Sequence, residues 1–421
     1  MVFIYHTIPS AFQNPFGLPV MDPSPPEYNG HCVCASPEYS PCVSEGEVLL
    51  DASYSARRRG GSSPTGVYTK VFDSTNVTLF NQGDEPSYGR QGNVQGSVAI
   101  LKCRERVQRV EALLEGRIET SSLDAGAFET IIFRHEATLW DAAEPETRQP
   151  SCPDALDFSF TFPSTFHDGK ETSPLPPSYS TTFFGMPNLN ARCTYRLRIV
   201  IARRSKTLKM FAKTQVLSLH LNYHPRATPS DGISAIQNSA LADIKLSPQP
   251  WSQHSFFGES SFPIQCEFFM PALKVFGIGD TIPFHIQISS RSASLQHRLQ
   301  QQRPASSRPP ATHPLVCVYL KRVVTATYRD KPVSRSQVIG KGDIPPLPVL
   351  VGSAPACDKE LSFNLSGTVR CVEDAIQAGG FHVASLSVYD YLVVEVAPGN
   401  ACHPIRCQIP VRFVTDSFHE A

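Results

Sequence analysis

Pro25-Pro26-Glu27-Tyr28, inside 'DPSPPEYNG', is the segment whose residue types and spacing most directly specify a chemistry. Two adjacent prolines preset a polyproline II path, so little entropy is lost when it docks in an aromatic-lined groove such as that of a WW domain. The tyrosine just beyond adds a large anchor with a hydrogen-bonding tip. Pro176-Pro177-Ser178-Tyr179 repeats the pattern close before a predicted strand, and two readings stand there: a docking motif, or a tyrosine packed in the fold.

Other chemistry is poorly provided for. The chain has no nucleophile elbow, zinc-protease helix, phosphate loop or dinucleotide glycine fingerprint. Cys32-Val33-Cys34 beside His31 has metal-binding residue types but no complete ligand set at suitable spacing. Catalysis, a metal and a cofactor are therefore not expected. A basic run, Arg192, Arg196, Arg198, Arg203, Arg204 and Lys206, offers contacts to phosphate on an anionic lipid or a phosphorylated tail. Its alternative is the wet face of a strand plus a turn.

Bulk properties narrow the partners. Lys+Arg and Asp+Glu are both 38, a balance that argues against a general nucleic-acid binder. The 12 cysteines are scattered, and Cys193, Cys317 and Cys407 occupy regular strand positions, where free cysteine acts as a small hydrophobe. The opening 'MVFIYHTIPSAFQNPFGLPV' lacks a basic leader and is broken by Pro9, Pro15 and Pro19. A cytoplasmic protein with mostly reduced thiols is expected.

The elements that must position these groups follow from one pattern. 'VEALLEGRIE', 'LDFSFTF', 'CTYRLRIVIA', 'FHIQIS', 'YLVVEV' and 'IRCQIPVRFV' place apolar residues at every second position, the signature of strands with one dry face and one wet face. Val110, Ala112, Leu114 and Ile118 share one parity, and Glu111, Glu115 and Glu119 the other. In 'VCVYLKRVVTATY' the apolar parity shifts between Leu320 and Val323, which predicts a β-bulge. Pro410 predicts a strand at a sheet edge or bulged there. Two blocks of six or seven short strands suit an all-β chain of two antiparallel, immunoglobulin-like β-sandwiches. The expected layout is a disordered Pro/Ser-rich arm at 1–67, a sandwich at 68–225, an interdomain segment at 226–255, a second sandwich at 256–416 and a tail at 417–421. A Pro/Ser-rich excursion is expected from about Phe162 to Thr182, and a polar insertion from Ser292 to Pro314.

In that order, 'PSYGRQGNVQGSVAIL', 'RVEALLEGRIE', 'LDFSFTFPS', 'PLPPSYS', 'ARCTYRLRIVIAR', 'FFMPALKVFGIGDTIPFHIQIS', 'VYLKRVVTA' and the closing 'SLSVYDYLVVEVAP…PIRCQIPVRFVTD' resemble a fungal arrestin-like protein of the α-arrestin class. The resemblance covers most of residues 68 to 416. It implies two arrestin-type lobes joined by a hinge and an adaptor role without catalysis. The lobes would engage the cytoplasmic tails or loops of a membrane transporter or receptor. A PPxY motif would recruit a HECT-type ubiquitin ligase through its WW domains, at the plasma membrane and endosomes. Pro25, Pro26 and Tyr28 fit that motif, and Pro176, Pro177 and Tyr179 fit its letters. Two alternatives remain open: a sorting scaffold of the retromer-subunit type that needs no ligase, and a secreted, disulfide-bonded β-sandwich binding protein.

Overall fold

The computed structural model describes residues 45–50, 66–80, 82–83, 85–143, 151–167, 172–204, 212–232, 241–258, 264–290, 315–329, 331–345, 361–372, 376, 378–383, 385–397 and 404–418. Of these residues 71% are in strands and 3% in helix, so the chain is all-β as expected.

Two facing sheets enclose a first core. One has four strands in the order β2 (Val67–Phe72), β3 (Thr75–Phe80), β5 (Asn93–Ile100) and β8 (Ala155–Thr161). The other runs β4 (Ser87–Tyr88), β13 (Ala212–Tyr223), β12 (Leu189–Arg204), β6 (Val107–Ser122), β7 (Gly126–Asp141), with β11 (Tyr179–Phe183) also on β12. The predicted inward residues of β6 and β12 are buried, among them Val110, Leu114, Ile118, Leu197 and Ile199. Each such aliphatic side chain stabilises the fold by about 1.5–3 kcal/mol relative to exposure.

The second core lies inside one ten-stranded sheet folded over itself. Its first arm is β15 (Trp251–Phe257), β16 (Ile264–Pro271), β18 (Thr281–Ser290) and β21 (Leu361–Arg370). Its second is β20 (Lys331–Asp343), β19 (Val316–Tyr328), β23 (Leu386–Val396), β24 (Ile405–Val414) and β17 (Val275–Gly277), with β22 (Phe381–Val383) on β23. The corner is in β20: Lys331 to Lys341 pair with β19, whereas Gly342 and Asp343 pair with β21. Glycine is required there by close approach. A Cβ on Gly340 would lie 2.2 Å from the Arg370 carbonyl oxygen, and one on Gly367 2.5 Å from that of Asp343. Phe268 and Ile286 from one arm meet Val318, Leu392 and Val394 from the other.

Several short strands depart from the sequence expectation. β1 (Glu47–Leu50) lies within the expected arm and pairs with β14 (Arg226–Pro229). The excursion after Phe162 contains β9 (Thr165–His167), β10 (Thr172–Pro174) and β11. The 226–255 stretch holds β14, a short helix α1 (Leu241–Leu246) and the start of β15. Strands of three to five residues are too short for a two-residue period to register. β20 gives no clear alternation for another reason: one face is exposed and the other mostly half-buried, so polar residues fill both parities. The Ser292–Pro314 insertion lies outside the described residues.

The predicted bulge is present but on the neighbouring strand. Leu320 pairs with Gly340 and Lys321 with Val338, which leaves Ile339 as the extra residue of β20. β19 itself alternates without interruption, and the inward slot between Leu320 and Val324 is filled by Arg322. Pro410 lies opposite Tyr391 of β23, and its other side is open because β17 reaches only Arg412 to Val414.

Candidate functional site at the junction of the two cores

The two cores share strands. The first half of β19 and the second half of β23 bury Val316, Val318, Leu392 and Val394 in the second core, while Val324, Ala326, Leu386 and Val388 at their other ends belong to the first core. Arg322 and Asp390 face each other directly across these two strands, at the point where the cores meet. Arg322 donates from Nε to Asp390 Oδ1 at 2.7 Å and from Nη2 to Oδ2 at 2.8 Å, a bidentate pair buried on both sides. Burial works against the guanidinium charge, but Asp390 outweighs it and holds the Arg322 proton above its ordinary affinity.

Tyr179 lies beside this pair. Burial raises its hydroxyl pKa, with Arg322 opposing. Its ring meets Phe381 of β22 edge-on at 5.3 Å between centroids. Ser178 donates its backbone N–H to the Tyr223 carbonyl at 2.8 Å and accepts from the Tyr223 N–H on its hydroxyl at 2.8 Å. The Tyr195 hydroxyl donates to the Pro176 carbonyl. Pro176, Pro177 and Tyr179 are all buried. The segment adopts the packed alternative, set against β22 in the first core, and a WW groove would reach it only if β11 left its sheet. Pro25, Pro26 and Tyr28 lie outside the described residues.

The basic run is also more committed than its sequence suggests. Arg196 pairs with Glu119 at 3.0 Å and Arg198 with Glu115 at 3.5 Å, both across to β6. Arg203 bonds Gln215 and Ser74. Arg192 and Arg204 are exposed and have no acidic partner among the described residues, while Lys206 lies outside them. Glu115, expected on the wet face, is buried there beneath Arg117 and Arg198, whose long side chains roof the centre of the sheet.

No protein-family model matches this chain, and no curated protein matches it.

The junction also holds a cavity of about 400 Å³. Its walls come from the β9–β10 hairpin, the Pro176-Pro177 segment, β1, β14, β22 and the end of β24. β1 and β14 form a ribbon across it. Arg226 clasps Asp416, and Arg412 Nε lies 2.7 Å from Glu47 Oε2. Among the described residues no cluster of His, Cys, Asp or Glu could hold a metal, and no helix is long and apolar enough to cross a membrane. The seven described cysteines are free.

Arg322 and Asp390 escaped the sequence reading, though a signal existed. In 'SLSVYDYLVVEV' Asp390 shares the parity of Leu386, Val388, Leu392 and Val394, and Arg322 shares that of Leu320 and Val324. An acid on one apolar parity and a base on another are complementary oddities.

Proposed function

We propose that this chain is a non-enzymatic, arrestin-like adaptor: its two lobes bind a transporter or receptor, and Pro25, Pro26 and Tyr28 tether a WW-domain HECT ubiquitin ligase. The observation that carries the reading is the pair of β-sandwich cores braced by shared strands. Such an arrangement presents broad, stiff sheet surfaces that suit protein partners, because little ordering entropy is lost on docking. The protein works in the cytoplasm and moves to the plasma membrane and endosomes, with Arg192 and Arg204 as the contacts to anionic lipid. The test is capture of the full chain by isolated WW domains. Tyr28→Ala is expected to abolish capture, and equal retention of wild type and variant removes the ligase arm from the mechanism.

A second reading, a ligase-independent sorting scaffold of the retromer-subunit type, is favoured by the burial of Pro176, Pro177 and Tyr179. On that reading only Pro25, Pro26 and Tyr28 are left to carry ligase binding. Cargo ubiquitination that depends on this chain separates the two readings. The free state of seven cysteines weighs against the secreted, disulfide-bonded alternative.

A further inference from the structure

We propose that the junction cavity is a binding site for a small amphiphilic carboxylate, an anionic head on a short apolar body. Its volume of about 400 Å³ falls within the ~300–1,000 Å³ range of small-molecule pockets. The lining is divided by chemistry. Leu175, Phe381, Val383 and Phe413 provide an apolar wall. The charged lining is Arg90, Arg226, Arg412 and one acid, Glu47. Glu47 is held by Arg412, and Arg226 is held by Asp416, so these pairs cancel.

Arg90 is what remains. It is half-buried, lines the cavity and has no acidic partner among the described residues. Its backbone is fixed in a tight turn, with the Gly92 N–H bonded to the Gly89 carbonyl at 3.0 Å and Gln91 at φ 54°. The guanidinium is close enough to Tyr223, another lining residue, to oppose the rise of its hydroxyl to about 12 that burial causes. The Arg90 guanidinium faces a part-enclosed, part-apolar space with no counter-ion among the described residues, and a carboxylate would satisfy it with a charge-assisted, bidentate contact. The apolar wall takes the body of the ligand.

Octanoate is a suitable probe and octanamide its uncharged match, each titrated calorimetrically into the full chain. Octanoate is expected to bind saturably and octanamide roughly tenfold more weakly, the scale of one hydrogen bond to a charged group. Arg90→Gln should remove that difference and Arg90→Lys should restore part of it. Thr165→Trp, at an exposed rim position of the cavity, should abolish binding of both probes. The proposal is overturned if octanoate does not saturate, if octanamide binds as tightly as octanoate, or if either Arg90→Gln or Thr165→Trp leaves octanoate binding unchanged.

Discussion

Asp390 and Glu115 are both carboxylates with no exposed surface in the middle of long strands, yet their surroundings differ sharply. Asp390 lies where the two cores meet, and its partner Arg322 is 1% exposed. Both Asp390 oxygens accept hydrogen bonds from that one guanidinium. Glu115 lies on the outer face of the first sandwich beneath Arg117 and Arg198, which are 18% and 29% exposed. Only its Oε1 is engaged, and Oε2 is buried without a hydrogen-bond partner among the described residues. Burial of an acid is thus not one situation. A dry pair leaves a stranded charge when one member is lost, whereas partially wet arginines can turn to water or to another acid. Arg117 already reaches Glu129 as well.

The largest effect is expected at the dry pair. Asp390→Asn should destabilise the protein by about 3–5 kcal/mol, because Arg322 is left charged without a counter-ion. Replacing both partners, as Arg322→Met with Asp390→Leu, should recover most of that loss, since the Born penalty of both ions disappears together. Urea unfolding of the three proteins measures this. A single-variant cost below that of Glu115→Gln would erase the distinction between the two regions.

Alkaline pH sharpens the contrast next. Burial, reinforced by Asp390 and opposed by Arg322, pushes the Cys371 thiol up to about 12 from an ordinary value of 9.0. Below pH 9 both folded and unfolded chains keep this proton, so its contribution is intact. Between pH 9 and 12 the unfolded chain releases the proton and the folded chain holds it, so stability falls as pH rises. Cys193 and Cys266, each raised to about 12 by burial, act in the same direction. The urea midpoint should drop more steeply from pH 8 to pH 10 in wild type than in Cys371→Ala. Parallel slopes would show that this thiol is not sequestered beside the pair.

The smaller effects lie on the outer face. Glu115→Gln should cost about 1–2 kcal/mol, the scale of losing hydrogen bonds to a charged group that was only half satisfied. Arg196→Gln, which breaks a solvent-reached pair with Glu119, should cost no more than about 1 kcal/mol and less at high salt. If Arg196→Gln proved as costly as Glu115→Gln, the outer face would be acting as one coupled network.

Much of the fold was legible because a strand's two-residue period writes burial directly into sequence. β6, β12, β16, β18, β23 and β24 all carry apolar residues on the parity that the structure buries. The period cannot reveal strands of a few residues, such as β9 and β10, or a strand with one exposed and one mostly half-buried face, such as β20. The junction was the least legible part. Arg322 looked like a break in the pattern because its compensating charge lies 68 residues away on β23. At Tyr179 the letters left docking and packing both open, because nothing local shows Phe381 closing over it.

Local alternation, read from sequence alone, therefore determined the all-β class and the inward face of each long strand, since side-chain direction in an extended chain depends only on position. Which strands bridge two cores, which charges meet in the dry seam and where a cavity is left were decided by tertiary structure alone. Those features depend on contacts between residues far apart in the chain, and a periodicity of two contains no record of distance along it.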